Sequence, residues 1–285
     1  MHPTRSQRAR RLCAGALVAL VHTSADATAA DLMVTIGGRT QALRTEALLA
    51  HPQAVTITVP QDVSYKRAMT YRAVPASVLL TGLGKDDSVR FVSADGFAAA
   101  IPADLLLAAG DNAARAYLAV EPPTAPWPPL KAGSAATAGP FYLVWLRPER
   151  NRIAAEQWPY QVTRIDTVPT VAIRFPALAP AATVSSTDPV RHGFQVFAQQ
   201  CLPCHTLNLA GDAQIGPDLN VPFSPTEYMR EDHLRQQVRN PQGLRIWKDS
   251  KMPSFNLNVL PDRDLDDLIV YLYYMAKRKV EVPKG

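Results

Sequence analysis

The feature that most constrains this chain is a pair of cysteines two residues apart, followed directly by a histidine. The segment reads Cys201-Leu202-Pro203-Cys204-His205, and the one other cysteine of the sequence is Cys13. Such a pair can form a disulfide, act as a redox dithiol, supply half of a zinc site or attach a haem. A zinc site of the usual kind needs a second cysteine pair, and no thioredoxin-like strand precedes the motif. The spacing therefore favours covalent haem attachment.

The order of the motif suits that chemistry. Two thiols can add across the vinyl groups of one haem, and the imidazole that follows them can bind the iron from one face. We therefore expect one covalent haem c, bound through Cys201 and Cys204, with His205 as an iron ligand.

The first residues are typical of a secretion signal. A basic start is followed by an apolar run at residues 12–21 and by small residues at 27–30. Ten apolar residues are too few to span a bilayer, which disfavours the alternative of an uncleaved anchor. We expect residues 1–29 to be removed, Cys13 with them, which predicts a periplasmic protein with no stable membrane insertion after cleavage.

The charge balance argues against a nucleic-acid partner. The formal net charge is +5, and residues 1–29 carry +3 of it, so about +2 remains. No dense basic helix is left either.

The pattern of the chain predicts two domains. Residues 30–175 hold short β-rich runs between prolines and glycines, which predicts an α+β domain that is mostly β. Residues 176–187 are rich in proline and small residues and are interpreted as a linker. Residues 188–285 predict an all-α domain, with a helix over 190–200 capped by Asp188 or Thr187 and an amphipathic helix over 262–279.

Residues 188–279 resemble class I cytochromes c. Gly193 and Phe197 lie eight and four residues before Cys201, as in the first helix of that family. Leu268 and Tyr271 stand where the family's terminal helix crosses it. The resemblance implies a close crossing of the two helices at the glycine.

The same resemblance implies two further haem residues. Gly216-Pro217-Asp218-Leu219 looks like the segment whose proline carbonyl orients the proximal histidine, here Pro217. Lys251-Met252-Pro253-Ser254-Phe255 resembles the loop that supplies the distal ligand, here Met252. The other candidates for that position are Met229, His233 and Met275. A methionine ligand favours an electron carrier over a haem enzyme.

Residues 73–167 look like the molybdopterin-binding fold of the sulfite oxidase family. The resemblance rests on segments 79–84, 92–97 and 139–144 and on Ile101-Pro102. That family ligates molybdenum through a cysteine, and none lies between Cys13 and Cys201. We therefore expect a degenerate domain without molybdopterin and assign no catalytic residue. Asp95-Gly96 is interpreted as a turn, and Trp127, Trp145 and Trp158 as core.

Together these features predict a periplasmic monohaem cytochrome that transfers single electrons. Its partners would be redox proteins such as a dehydrogenase, an oxidase or a reductase, and the N-terminal domain would dock them. One alternative is a cytochrome subunit or fused haem domain of a dehydrogenase that oxidises a small molecule; another is an assembly subunit. Arg245, Lys248 and Lys251 could steer an acidic partner or could be an ordinary solvated surface.

Overall fold

The computed structural model describes residues 31–84, 87–213, 215–246 and 251–281. The expected secretion signal, residues 1–29, lies outside this described part of the chain. No helix within the described ranges is both long enough and apolar enough to cross a membrane.

The N-terminal region consists mainly of strands, as the sequence predicts. They are β1 (Asp31–Ile36), β2 (Arg39–Arg44), β3 (Val55–Val59), β4 (Met69–Pro75), β5 (Ser88–Ser93), β6 (Ala98–Pro102), β7 (Arg115–Val120), β8 (Phe141–Leu146) and β9 (Val162–Val168). Short helices α1 (Thr45–Leu49), α2 (Ala76–Leu79) and α3 (Ala103–Leu107) lie between them.

These strands form two sheets. One has the order β2-β1-β9-β5-β6 and the other the order β3-β4-β7-β8. The β1–β9 pair is parallel, whereas β5 pairs with β6 and β9 in antiparallel fashion. In β5 every second residue is buried, including Val89 and Phe91, which is the period expected of a strand with one face in the core.

The core of this region is rich in aromatic side chains. Trp127, Trp145 and Trp158 are all buried, which confirms the prediction that they are core residues. The segment after β8 folds back over that strand, and the Trp145 indole N–H donates to the carbonyl of Gln157 at 2.7 Å. This segment contains a short 3₁₀ turn at residues 155–157 and carries it toward the C-terminal region.

The C-terminal region is helical. Its helices are α5 (Pro189–Gln200), α6 (Pro225–Tyr228), α7 (Glu231–Arg239), α8 (Pro241–Leu244) and α9 (Asp262–Ala276). The short helix α4 (Val171–Arg174) precedes the predicted linker and ends the N-terminal region. The Asp188 carboxylate accepts a hydrogen bond from the Val190 amide at 2.9 Å, so Asp188 is the N-cap of α5. Helix α9 ends three residues before the predicted end of the amphipathic segment.

Helices α5 and α9 cross at Gly193. A Cβ built on this glycine would lie 2.6 Å from the carbonyl carbon of Asp267 and 2.7 Å from Cβ of Tyr271. The Phe197 and Tyr271 rings pack beside the crossing with centroids 5.5 Å apart. The predicted close approach at Gly193 is confirmed, and it requires a residue without a side chain.

The connection between the two regions lies against the C-terminal helices. Leu178 is fully buried in the C-terminal core, and its carbonyl accepts a hydrogen bond from the Tyr271 hydroxyl at 2.8 Å. The Ala181 amide donates to the Tyr274 hydroxyl at 3.0 Å. The predicted linker is therefore packed along α9 rather than extended through solvent.

The two regions also contact each other directly. Arg90 on β5 and Arg174 on α4 both bind the Asp212 carboxylate, at 2.8 and 2.6 Å. The Ala98 amide on β6 reaches the Pro203 carbonyl at 3.5 Å. Pro203 lies between the two motif cysteines, so the N-terminal region rests on the haem-attachment segment itself.

Candidate haem site

The two motif cysteines and the histidine lie on one helical turn that continues α5. The Cys201 amide donates to the Phe197 carbonyl at 2.9 Å, and the amides of Cys204 and His205 both donate to the Cys201 carbonyl, at 3.0 and 2.9 Å. The two thiols are not joined in a disulfide. The fold therefore presents both sulfurs and the imidazole from a single rigid turn.

Both thiols are desolvated, although each residue keeps some exposed surface. Burial raises the pKa of Cys201, and the nearby charge of Glu156 raises it further. Burial and the same Glu156 charge raise the pKa of Cys204 to about 12. Unmodified thiols here are neutral at physiological pH, and Glu156 of the N-terminal region lies close enough to act on both sulfurs.

The His205 ring is held in one tautomer. Its Nδ1 lies 2.8 Å from the Pro217 carbonyl oxygen, which can only accept a hydrogen bond, so Nδ1 carries the proton. Nε2 is then the nitrogen with a lone pair for a metal. Desolvation lowers the pKa of His205, which also favours the neutral ring that binds iron.

Gly216 makes room for this ring. A Cβ at that position would lie 2.5 Å from Cε1 and 2.6 Å from Nδ1 of His205, so any side chain would displace the imidazole. The Gly216 amide donates to the Cys204 carbonyl at 2.7 Å and ties the two segments together. The glycine and the proline of this segment thus place the histidine from two sides.

Asp218 and Asn220 fix the loop that carries Gly216 and Pro217. The Asp218 carboxylate accepts hydrogen bonds from the amides of Leu209, Asn220 and Val221, at 2.7, 2.8 and 2.7 Å. The fully buried Asn220 amide group donates to Asn208 Oδ1 at 2.7 Å and to the Met275 carbonyl at 2.8 Å. Sequence reasoning did not single out Asn208 or Asn220, and a lone asparagine carries no signal for such a role.

Met252, the predicted distal ligand, is half-buried and packs against the C-terminal core. Its sulfur accepts a hydrogen bond from Gln237 Nε2 on α7 at 3.4 Å, a contact that the sequence did not predict. Of the other candidates, Met275 is fully buried on α9, Met229 follows α6, and His233 is exposed on α7. The role of Met252 stays a prediction.

The structure describes only part of the predicted basic surface. Lys248 lies outside the described residues, and Lys251 is 3.6 Å from the Asp95 carboxylate. Asp95 and Gly96 form the turn between β5 and β6, which confirms the turn interpretation. Lys251 therefore points toward the N-terminal region.

These residues fit a covalently attached haem. Two free thiols stand on the same turn as an imidazole whose Nδ1 is already engaged, and the glycine beside the ring admits no side chain. Across the described ranges no group of three or more histidine, cysteine, aspartate or glutamate side chains could hold a metal ion by itself. Two thiols for the vinyl groups and one imidazole for the iron are the groups that a covalent haem requires.

Comparison with known proteins supports the same assignment. Residues 188–272 match the family model described as cytochrome C oxidase, cbb3-type, subunit III. This match does not extend to the residues before 188, and no curated protein matches the chain. Residues 188–272 are therefore similar to a c-type cytochrome domain, and domains of this kind carry haem c.

Proposed function

We propose that this protein is a periplasmic monohaem cytochrome that passes single electrons between redox proteins. The observation that carries the proposal is the fixed His205 ring, with Nδ1 bound to the Pro217 carbonyl and both cysteines on the same turn. When bound, the haem supplies one-electron chemistry at iron. Cys201 and Cys204 hold it, and His205 and Met252 are its proposed axial ligands.

The protein's own residues keep this site rigid. The backbone bonds of the attachment turn and the Asp218 carboxylate hold the histidine segment, while Gln237 holds the Met252 sulfur. A site that moves little between its two charge states exchanges electrons with little reorganisation. The N-terminal domain, residues 30–175, covers the attachment turn at Ala98 and Pro203 and would choose or position the partner.

We further propose that residues 30–175 form the molybdopterin-binding-like domain without its metal. Support comes from the mostly β architecture and from the absence of any cysteine between Cys13 and Cys201. The name of the matched family favours an oxidase as one redox partner. Metal analysis of the purified protein should then find one iron per chain and no molybdenum; molybdenum would favour the dehydrogenase alternative.

The experiment that tests the function is a reversible redox titration of the matured protein with absorption spectra from the visible to the near infrared. We expect one single-electron transition and the weak near-infrared band of methionine bound to ferric iron. Met252→Ala should lose that band, whereas Met229→Ala, a matched control, should keep it. A band that survives Met252→Ala would refute this ligand, and a protein without a reversible transition would refute the electron carrier.

A further inference from the structure

Glu156 is a buried carboxylate that the proposed function does not use. Only 4% of the residue is exposed, and its Oε2 has no hydrogen-bond partner among the residues that the structure describes. It belongs to the 3₁₀ turn Ala155–Gln157 of the N-terminal region. A buried ionised carboxylate without full hydrogen bonding is costly, so such a group needs a stabilising charge or a proton.

The Glu156 carboxylate lies near the cysteines that would hold the haem. Glu156 acts electrostatically on both Cys201 and Cys204, which are the two points where the porphyrin edge would be bonded to the protein. The turn that carries Glu156 packs against β6, whose Ala98 amide reaches the Pro203 carbonyl between the two cysteines. The carboxyl group is therefore within electrostatic range of the segment that would hold the haem. It comes from the opposite domain and is brought there by the segment that folds back over β8.

We propose that Glu156 is a redox-linked proton acceptor, so that electron uptake by the cytochrome domain is coupled to proton uptake at this carboxylate. The proposal rests on the proposed electron-transfer function. The electron arrives from a one-electron redox protein, and in part of the molecules a proton arrives from solvent and binds Glu156; both leave on oxidation. In those molecules the added proton neutralises the charge of the added electron.

The sign follows from electrostatics. Desolvation raises the pKa of Glu156 to about 7, so the group titrates in the physiological range. An extra electron nearby disfavours the carboxylate and raises its proton affinity, and by reciprocity the carboxylate disfavours the reduced state. The reduction potential should therefore be higher at low pH and should fall as the pH rises.

Other charged side chains also act on this site. Lys66, in the exposed loop between β3 and β4, acts on Glu156 and favours its ionised form. On the cytochrome side, Lys251 and Asp95 pair with each other beside Cys204, and both act on that thiol. The cysteines become thioethers once haem is attached and then do not titrate. Glu156 is thus a buried group at this site that can exchange a proton near neutral pH.

The proton would enter from a cleft of about 320 Å³ that both domains line. Gln157 and Gln200, the residues next to Glu156 and Cys201 in the sequence, are part of its wall.

The test is the reduction potential of the full-length haem-loaded protein as a function of pH. In the wild type we expect the potential to fall between pH 5 and 9, with a proton affinity about tenfold higher in the reduced state, which corresponds to about 59 mV. Glu156→Gln should remove most of this dependence. Glu149→Gln, an exposed carboxylate earlier in the same loop, should leave it unchanged.

A second readout needs no destabilising variant. The reduced-minus-oxidised infrared difference spectrum of the wild type should contain the C=O stretch of a protonated carboxylic acid, and Glu156→Gln should lack it. A pH-dependent potential that persists in Glu156→Gln, or a wild-type potential independent of pH, overturns the proposal. Either result would leave the electron carrier itself intact, because that function fails only if no reversible transition is seen.

Discussion

The packing of α5 against α9 leads to a specific prediction for Gly193→Ala, because the gain in helix propensity stabilises the protein whereas the change in packing destabilises it. Alanine is favoured over glycine inside a helix by about 1 kcal/mol. The new Cβ, however, would lie 2.6 Å from the Asp267 carbonyl carbon and 2.7 Å from Tyr271 Cβ. Neither neighbour is the end of a flexible side chain, so the helices must separate.

Forcing a methyl group into a packed contact costs about 1–3 kcal/mol, and here several contacts are below 3.0 Å, so the upper end applies. After the propensity gain, the domain should lose about 2 kcal/mol. For a domain of this size that corresponds to a melting temperature lower by roughly 8–16 °C.

The assay is thermal and urea unfolding of the haem-loaded protein, followed by circular dichroism. Gln195→Ala is the matched control, since Gln195 is exposed on the same helix, and its stability should change by less than about 0.5 kcal/mol. A Gly193→Ala protein that is as stable as the wild type, or more stable, would refute the close crossing.

Three further substitutions test other parts of the site. Asn220→Ala removes a fully buried amide that bonds both Asn208 and the end of α9, and urea unfolding should show a loss of about 2 kcal/mol; an unchanged midpoint would contradict that bridge. Gly216→Ala should displace the His205 ring, so the matured protein should lose the low-spin haem spectrum. An intact spectrum would contradict the close packing of Gly216 against this ring. Asp212→Asn weakens a half-buried ion pair with two arginines, at a cost of about 1 kcal/mol, and should increase hydrogen exchange in β5 and α4; unchanged exchange would mean that the pair does not hold the domains together.

Local sequence signals made the helical C-terminal region predictable. Pro189 after an aspartate identifies a helix start, and the Asp188 cap is present in the structure. The two cysteines and the histidine allow few arrangements, and the resemblance anticipated the crossing at Gly193. The assignments of Met252 and of the sulfite-oxidase-like fold remain predictions.

The remaining features depend on long-range packing and leave no local pattern. Residues 176–187 lack an apolar period, so nothing in their composition indicates that Leu178 is fully buried against Tyr271. A lone glutamate is ordinarily exposed, and only the fold of residues 152–161 over β8 carries Glu156 toward the cysteines. Gln237 meets Met252 from a separate helix.

The central claim is that one haem is covalently held by Cys201 and Cys204, and intact-mass spectrometry of the denatured protein tests it most directly. After expression with a c-type maturation system, the wild type should carry the mass of one haem that denaturation does not remove. Replacement of both cysteines by serine should abolish the adduct. A wild-type protein of polypeptide mass alone, or an adduct retained without the two cysteines, would contradict the account.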